Sequence, residues 1–96
     1  MTERTDRIIE RVRAIPEGFV RAYSDIDPGA PRVVGCVLGR LGEDESLGDV
    51  PWHRVVRVDG SLPVGAEQRE RLHREGVPLR GDRVDMSRAR LPPEAS

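Results

Sequence analysis

Ninety-six residues are enough for one small domain and leave little room for a second core. Only 36% of them are hydrophobic, with one Phe, one Tyr and one Trp, so the core must be aliphatic and modest. The net charge of −1 does not announce a nucleic-acid binder, and any DNA contact requires positive charge gathered on one face.

All 16 basic residues are Arg, whose planar, multi-donor head suits phosphates and base edges, although genomic base composition produces the same bias. The single cysteine, Cys36, allows no internal disulfide and fits a reducing compartment. With no long apolar run and no signal-type N-terminus, a cytoplasmic protein without membrane contact is expected.

In chain order, Thr2 or Thr5 can cap a helix running to about Ala14, with Ile8, Ile9, Val12 and Ile15 spaced for one apolar face. Pro16-Glu17-Gly18 reads as a turn and Phe19 to Tyr23 as a short extended segment, with Tyr23 a half-buried strand end. Between Asp25 and Pro31, two prolines and Gly29 leave room only for a tight turn and no regular helix of any length. Pro31 opens and Gly42 stops a helix over Arg32–Leu41, whose stripe is Val34, Val37, Leu38 and Leu41. Gly35 and Gly39 each cost about 1 kcal/mol there relative to Ala, so something is expected to approach that backbone closely, a neighbouring helix or DNA. Cys36 reads as a small buried hydrophobe, with no base near it in sequence to make it a nucleophile.

Gly42 to Val50 is a polar loop whose acidic run, Glu43-Asp44-Glu45, is expected to point into solvent. Pro51-Trp52-His53-Arg54 then leads into a β-branched segment, Arg54 to Val58, closed by the Asp59-Gly60 turn. Taken alone, Trp52 is a core anchor and His53 a satisfied core histidine. Leu62 to Gly65 is a loop, and Ala66 to Glu75 a helix with Leu72 inside and Gly76 as its C-terminal cap. On that helix Arg69, Arg71 and Arg74 read as solvated charges. Gly81 to Asp85 forms a small turn and strand, and residues 91–96 a disordered tail after a domain of residues 1–90.

Several of these stretches together carry a resemblance. Pro51-Trp52-His53-Arg54-Val55 resembles the active-site signature of O6-alkylguanine-DNA alkyltransferases, Pro-Cys-His-Arg-Val, with Trp52 where the acceptor Cys stands. That replacement marks the alkyltransferase-like branch. The Ile15-Pro16 to Tyr23 stretch is similar to the family's lead-in to its helix-turn-helix, and Arg32 with Val34-Gly35 to its recognition helix. Gly65 through Leu72 to Glu75-Gly76-Val77 is similar to its closing segment.

The resemblance implies a small single α/β domain, winged helix-turn-helix-like, with a shortened first helix of the motif. It implies a lesion pocket of Trp52, Tyr23, His53, Val64 and Gly65, and DNA binding by Arg32, Tyr23, Gly35 and Arg40. Arg32 matches the arginine that fills the space of a flipped base, and Tyr23 the tyrosine that turns the nucleotide's phosphate. His53, Arg54 and Glu75 match the relay that holds the central turn. The family's Asn-Pro, whose Asn braces that turn, is absent, so its hydrogen bonds must come from elsewhere.

The implied function is non-catalytic: an indole cannot displace guanine from an alkyl carbon as a thiolate does, so O6-alkylguanine in double-stranded DNA is flipped and held, then passed to nucleotide excision repair proteins. A monomer with no cofactor and no metal is expected. The alternatives are a general winged-helix DNA-binding or regulatory protein without lesion specificity, a residual enzyme using Cys36, and a fold kept only for protein contacts.

Overall fold

The computed structural model describes residues 3–41 and 45–92. The expected Thr2 cap, the Gly42 stop, Glu43 and Asp44 of the acidic run, and tail residues 93–96 lie outside the described residues.

Helix α1 (Glu3–Arg13) turns Ile8, Ile9 and Val12 to one side, with acids in its first turn and arginines in its last, each where the helix dipole favours that charge. The Pro16 turn closes through the Phe19 amide on the Pro16 carbonyl at 3.2 Å and delivers the chain to β1 (Arg21–Ala22). The expected extended segment thus narrows to two residues, because Tyr23 already opens α2 (Tyr23–Ile26).

The expectation of no helix of any length before α3 needs correction: one helical turn forms upstream of the prolines. Asp25 organises it by accepting the Ala22 amide at 2.9 Å. The turn stops at Asp27, whose extended backbone (φ −144°, ψ 93°) is the conformation a residue before proline prefers. Helix α3 (Pro31–Gly39) follows with proline in its first turn, burying Val34 and half-burying Val37 and Leu38. Helices α1, α2 and α3 pack on one another.

Strand β2 (Val55–Val56), shorter than the expected Arg54–Val58 run, pairs in parallel with β1, Arg21 opposite Val55 and Ala22 opposite Val56. Consecutive strand residues face opposite ways. Val55 accordingly joins one core with Ile8, Val12, Ile15, Ile26 and Val34, and Val56 a second with Val20, Leu72, Val77, Val84 and Ala89. The small sheet is the partition between the helical half and the C-terminal half.

Beyond it come α4 (Ala66–Arg74), an antiparallel hairpin of β3 (Leu79–Arg80) and β4 (Arg83–Val84), and a last helical turn, α5 (Met86–Ala89). The hairpin is fuller than the expected turn and strand. Leu91, assigned to a disordered tail on sequence grounds, is 6% exposed and donates its amide to the Val20 carbonyl at 2.9 Å. The two bonds between Val20 and the 89–91 segment extend the β1 backbone pairing, which sequence periodicity cannot show. Arg90 then clamps this segment to the helix-turn-helix through two hydrogen bonds to Asp25, at 2.6 and 2.9 Å.

Candidate functional site

Pro51 leads into a tight helical turn, Trp52–Arg54, closed by the Arg54 amide on the Pro51 carbonyl at 3.0 Å. The turn lies immediately before β2, so the sheet anchors it.

Glu75 reaches this turn because α4 ends in a Schellman motif. The Gly76 amide bonds the His73 carbonyl at 3.0 Å and the Val77 amide the Leu72 carbonyl at 3.1 Å, with Gly76 at φ 76°, a region that glycine enters without strain. Leu72 and Val77 then sit in the same core and fix where Glu75 projects. Its carboxylate takes a bidentate pair from Arg54 (Nε–Oε1 2.9 Å, Nη2–Oε2 2.7 Å) and one contact from His53 Nε2 at 2.9 Å. Arg54 Nη1 also donates to the Ile15 carbonyl at 2.8 Å. Burial pushes the Glu75 carboxyl up, but the hydrogen bonds from Arg54 and His53 outweigh it and hold the group below its ordinary value. The structure therefore brings His53, Arg54 and Glu75 together in one hydrogen-bonded network. Nδ1 of His53 is buried and has no hydrogen-bond partner among the described residues.

Trp52 is half-buried and packs on the first core. Its ring meets His53 edge-on at 6.0 Å and carries the Arg71 guanidinium 5.2 Å from its centroid. Trp52 borders two clefts. One, of about 360 Å³, is polar and lined by Asp49, Pro51, His53, Arg54 and Arg71. The other, of about 350 Å³, is lined by Leu38, Leu41, Leu47, Val64 and Glu67. The structure thus brings Trp52 together with His53 on one side and with Val64 on the other. Tyr23 lines neither cleft; it is half-buried against the first core, where burial raises its hydroxyl pKa, partly offset by Arg57. Gly65 belongs to a third hollow with Leu62, Ala66 and Arg69.

The exposed side of α3 and its cap carries Arg32, Gly35, Cys36, Gly39 and Arg40. No acidic residue lies between Pro31 and Leu41. Arg32 and Arg40 have no side-chain hydrogen bond or ion pair among the described residues, whereas Arg4, Arg13, Arg54 and Arg90 are all tied to carboxylates. A side chain added at Gly35 or Gly39 would meet nothing within 4 Å, so the expected close approach from a neighbouring helix is absent and the open space faces outward. Cys36 is exposed, contrary to its expected burial, because it falls on this outward face rather than on the Val34 stripe.

Two participants escaped sequence reasoning. Arg71, a solvated charge by its sequence, lies over the Trp52 ring. Gln68, 1% exposed, donates to the carbonyls of His53 (3.2 Å) and Val55 (2.9 Å) and accepts the Val64 amide at 3.2 Å. Its spacing of four from Leu72, which puts both on one helix face, was the available signal.

Comparison with known proteins gives a consistent result. The family described as 6-O-methylguanine DNA methyltransferase, DNA binding domain, matches residues 3–77. A protein of Escherichia coli K12 named DNA base-flipping protein is 42% identical over 94 residues, which cover 88% of this chain and 70% of that protein. The crystal structure of S. pombe Atl1 in complex with damaged DNA containing O6-carboxymethylguanine superposes with a TM-score of 0.77 at 27% identity, covering 96% of this chain and 98% of the other. A second S. pombe ATL structure in complex with DNA gives a TM-score of 0.78 at 26% identity, with the same coverage.

Proposed function

The chain belongs to the family of 6-O-methylguanine DNA methyltransferase DNA-binding domains, and on that footing we propose that it recognises O6-alkylguanine in duplex DNA by base flipping, without alkyl transfer. The observation that carries the proposal is the His53–Arg54–Glu75 network, assembled around a turn whose first residue is an indole where the family signature has a thiol. Similarity to a base-flipping protein and to a protein held on damaged DNA supports it.

The chemistry divides into two parts. Entry of the lesion costs a few kcal/mol of unstacking, less for a damaged pair. Arg32, at the exposed N-terminal turn of α3 and without a side-chain partner among the described residues, can occupy the vacated space while stacking and hydrogen-bonding at once. Tyr23, one position after β1, is assigned the phosphate of the turned nucleotide. Retention falls to Trp52, since an aromatic face is worth about 1–3 kcal/mol per stacked base. Arg40 and the bare backbone of Gly35 complete the DNA face; Val64 and Gly65 belong to the loop that walls the base. The only cysteine lies exposed on α3 and lines neither cleft bordered by Trp52, which argues against transfer to it.

The protein acts as a cytoplasmic monomer that hands the lesion to nucleotide excision repair proteins. The test is a titration at fixed salt of two duplexes differing only in O6-methylguanine against guanine, with wild type and Arg32→Ala, followed by intact-protein mass measurement. A lesion preference that Arg32→Ala abolishes, with no mass gain, is expected. Equal affinity for the two duplexes would instead favour a general winged-helix binder, and a stable alkyl adduct would favour Cys36 chemistry.

A further inference from the structure

We infer that Gln68 is the positioning residue that makes the Trp52 site preformed, by hanging two of its walls on one buried carboxamide. This rests on the proposed lesion pocket. The Nε2 amide group donates to the carbonyls of His53 and Val55, on either side of Arg54, and so fixes the turn that presents Trp52. The Oε1 oxygen holds the amide of Val64, and so fixes the loop opposite. Trp52 and Val64 line the same apolar cleft, and a single side chain rooted in α4 sets the distance between them.

The chemistry is specific to glutamine. A neutral carboxamide offers two donors and an acceptor; both donors and one lone pair are used here. Glutamate would set a carboxylate against two carbonyls, and methionine, of similar shape, would remove the hydrogen bonds to all three backbone groups. Gln68 is 1% exposed, so water cannot substitute. The brace that the family draws from an asparagine before the turn is supplied in this chain from a helix after it.

Trp52 is the only tryptophan, so its fluorescence reports the turn directly. Wild type and Gln68→Met are compared in three measurements: circular dichroism, acrylamide quenching of free protein, and titration with the O6-methylguanine and guanine duplexes. The expected result is a folded variant whose guanine-duplex affinity stays within twofold. Its lesion preference falls at least fivefold, and its Trp52 quenching constant at least doubles. Unchanged preference with unchanged quenching overturns the inference, as does an equal loss of affinity for both duplexes, which marks a purely structural role. If wild type itself shows no lesion preference, the functional reading fails and the quenching result alone decides the role of Gln68. If Gln68→Met does not fold, amide exchange in wild type decides instead. The Val64 amide must be protected at least tenfold over a free chain, and exchange at the free-chain rate overturns the inference.

Discussion

The guanidinium carbon of Arg71 stands 5.2 Å from the centre of the Trp52 ring, so a residue of α4 lies over the indole that the central turn presents. The pair is half-open to water, with 47% of the Arg71 side chain exposed and only a 3.9 Å ion pair to Glu67 competing for it. A cation–π contact at such a site is worth about 0.5–1 kcal/mol. A double-mutant cycle of Arg71→Ala and Trp52→Leu in urea denaturation should return a coupling of that size. Zero coupling would place the guanidinium elsewhere in solution.

Glu75 should govern part of the acid limb of stability. Its folded-state pKa lies below the ordinary 4.5, so its contribution is complete above that value and is lost as pH falls through the lower folded one. Asp25, held down chiefly by its hydrogen bond from Arg90, adds a similar loss below its ordinary 3.8. Glu75→Gln leaves the Arg54 guanidinium, 17% exposed, without its countercharge. It should cost about 3 kcal/mol at neutral pH and flatten the upper part of the acid limb. Urea midpoints between pH 3 and 7 check both; a Glu75→Gln curve parallel to wild type would refute the assignment.

Arg32 on α3 and Arg40 at its C-terminal cap, neither paired among the described residues, should separate by role. Arg40→Ala is expected to weaken damaged and undamaged duplexes alike and to lower the log–log salt slope by about 1, as loss of one phosphate contact does. Arg32→Ala should remove lesion preference with a smaller change in slope. Titrations at several salt concentrations distinguish them, and identical behaviour of the two variants would contradict the division.

Gly60 should be intolerant of any side chain. Its φ of 85° is left-handed, its carbonyl accepts the Val84 amide at 2.9 Å, and an added Cβ would press on the Val84 carbonyl oxygen. Gly60→Ala should cost more than about 1 kcal/mol, lowering Tm by at least about 4 °C. A calorimetric scan that shows no shift would mean the hairpin is free to move away from this turn.

The sequence alone carried the helices whose apolar positions repeat and whose ends bear recognisable caps. Pro31 and Val34 marked α3, and Leu72 with Gly76 marked α4, because helix formation is governed by residues within a turn of each other. The Trp52 signature and its distant partner Glu75 were legible only through family resemblance, since nothing local ties residues 21 positions apart. Tyr23 was misread as strand because the event that ends β1, the capping of Ala22 by Asp25, is a hydrogen bond rather than a periodicity. Cys36 was misread as core because small residues occupy both faces of α3.

Local chemistry determined helices α1, α3 and α4, the break at Pro28, the acid-free stretch of α3 and the absence of a thiol from the central turn. Tertiary structure decided what those elements share. The parallel pairing of β1 and β2 divides one small hydrophobic content into two cores, and Gln68, Arg71 and Glu75 converge from one helix on a turn 14 or more residues upstream in the chain. The physical reason is range: caps and periodicity act within a few residues, whereas a buried carboxamide or carboxylate finds its partners only after the chain has closed.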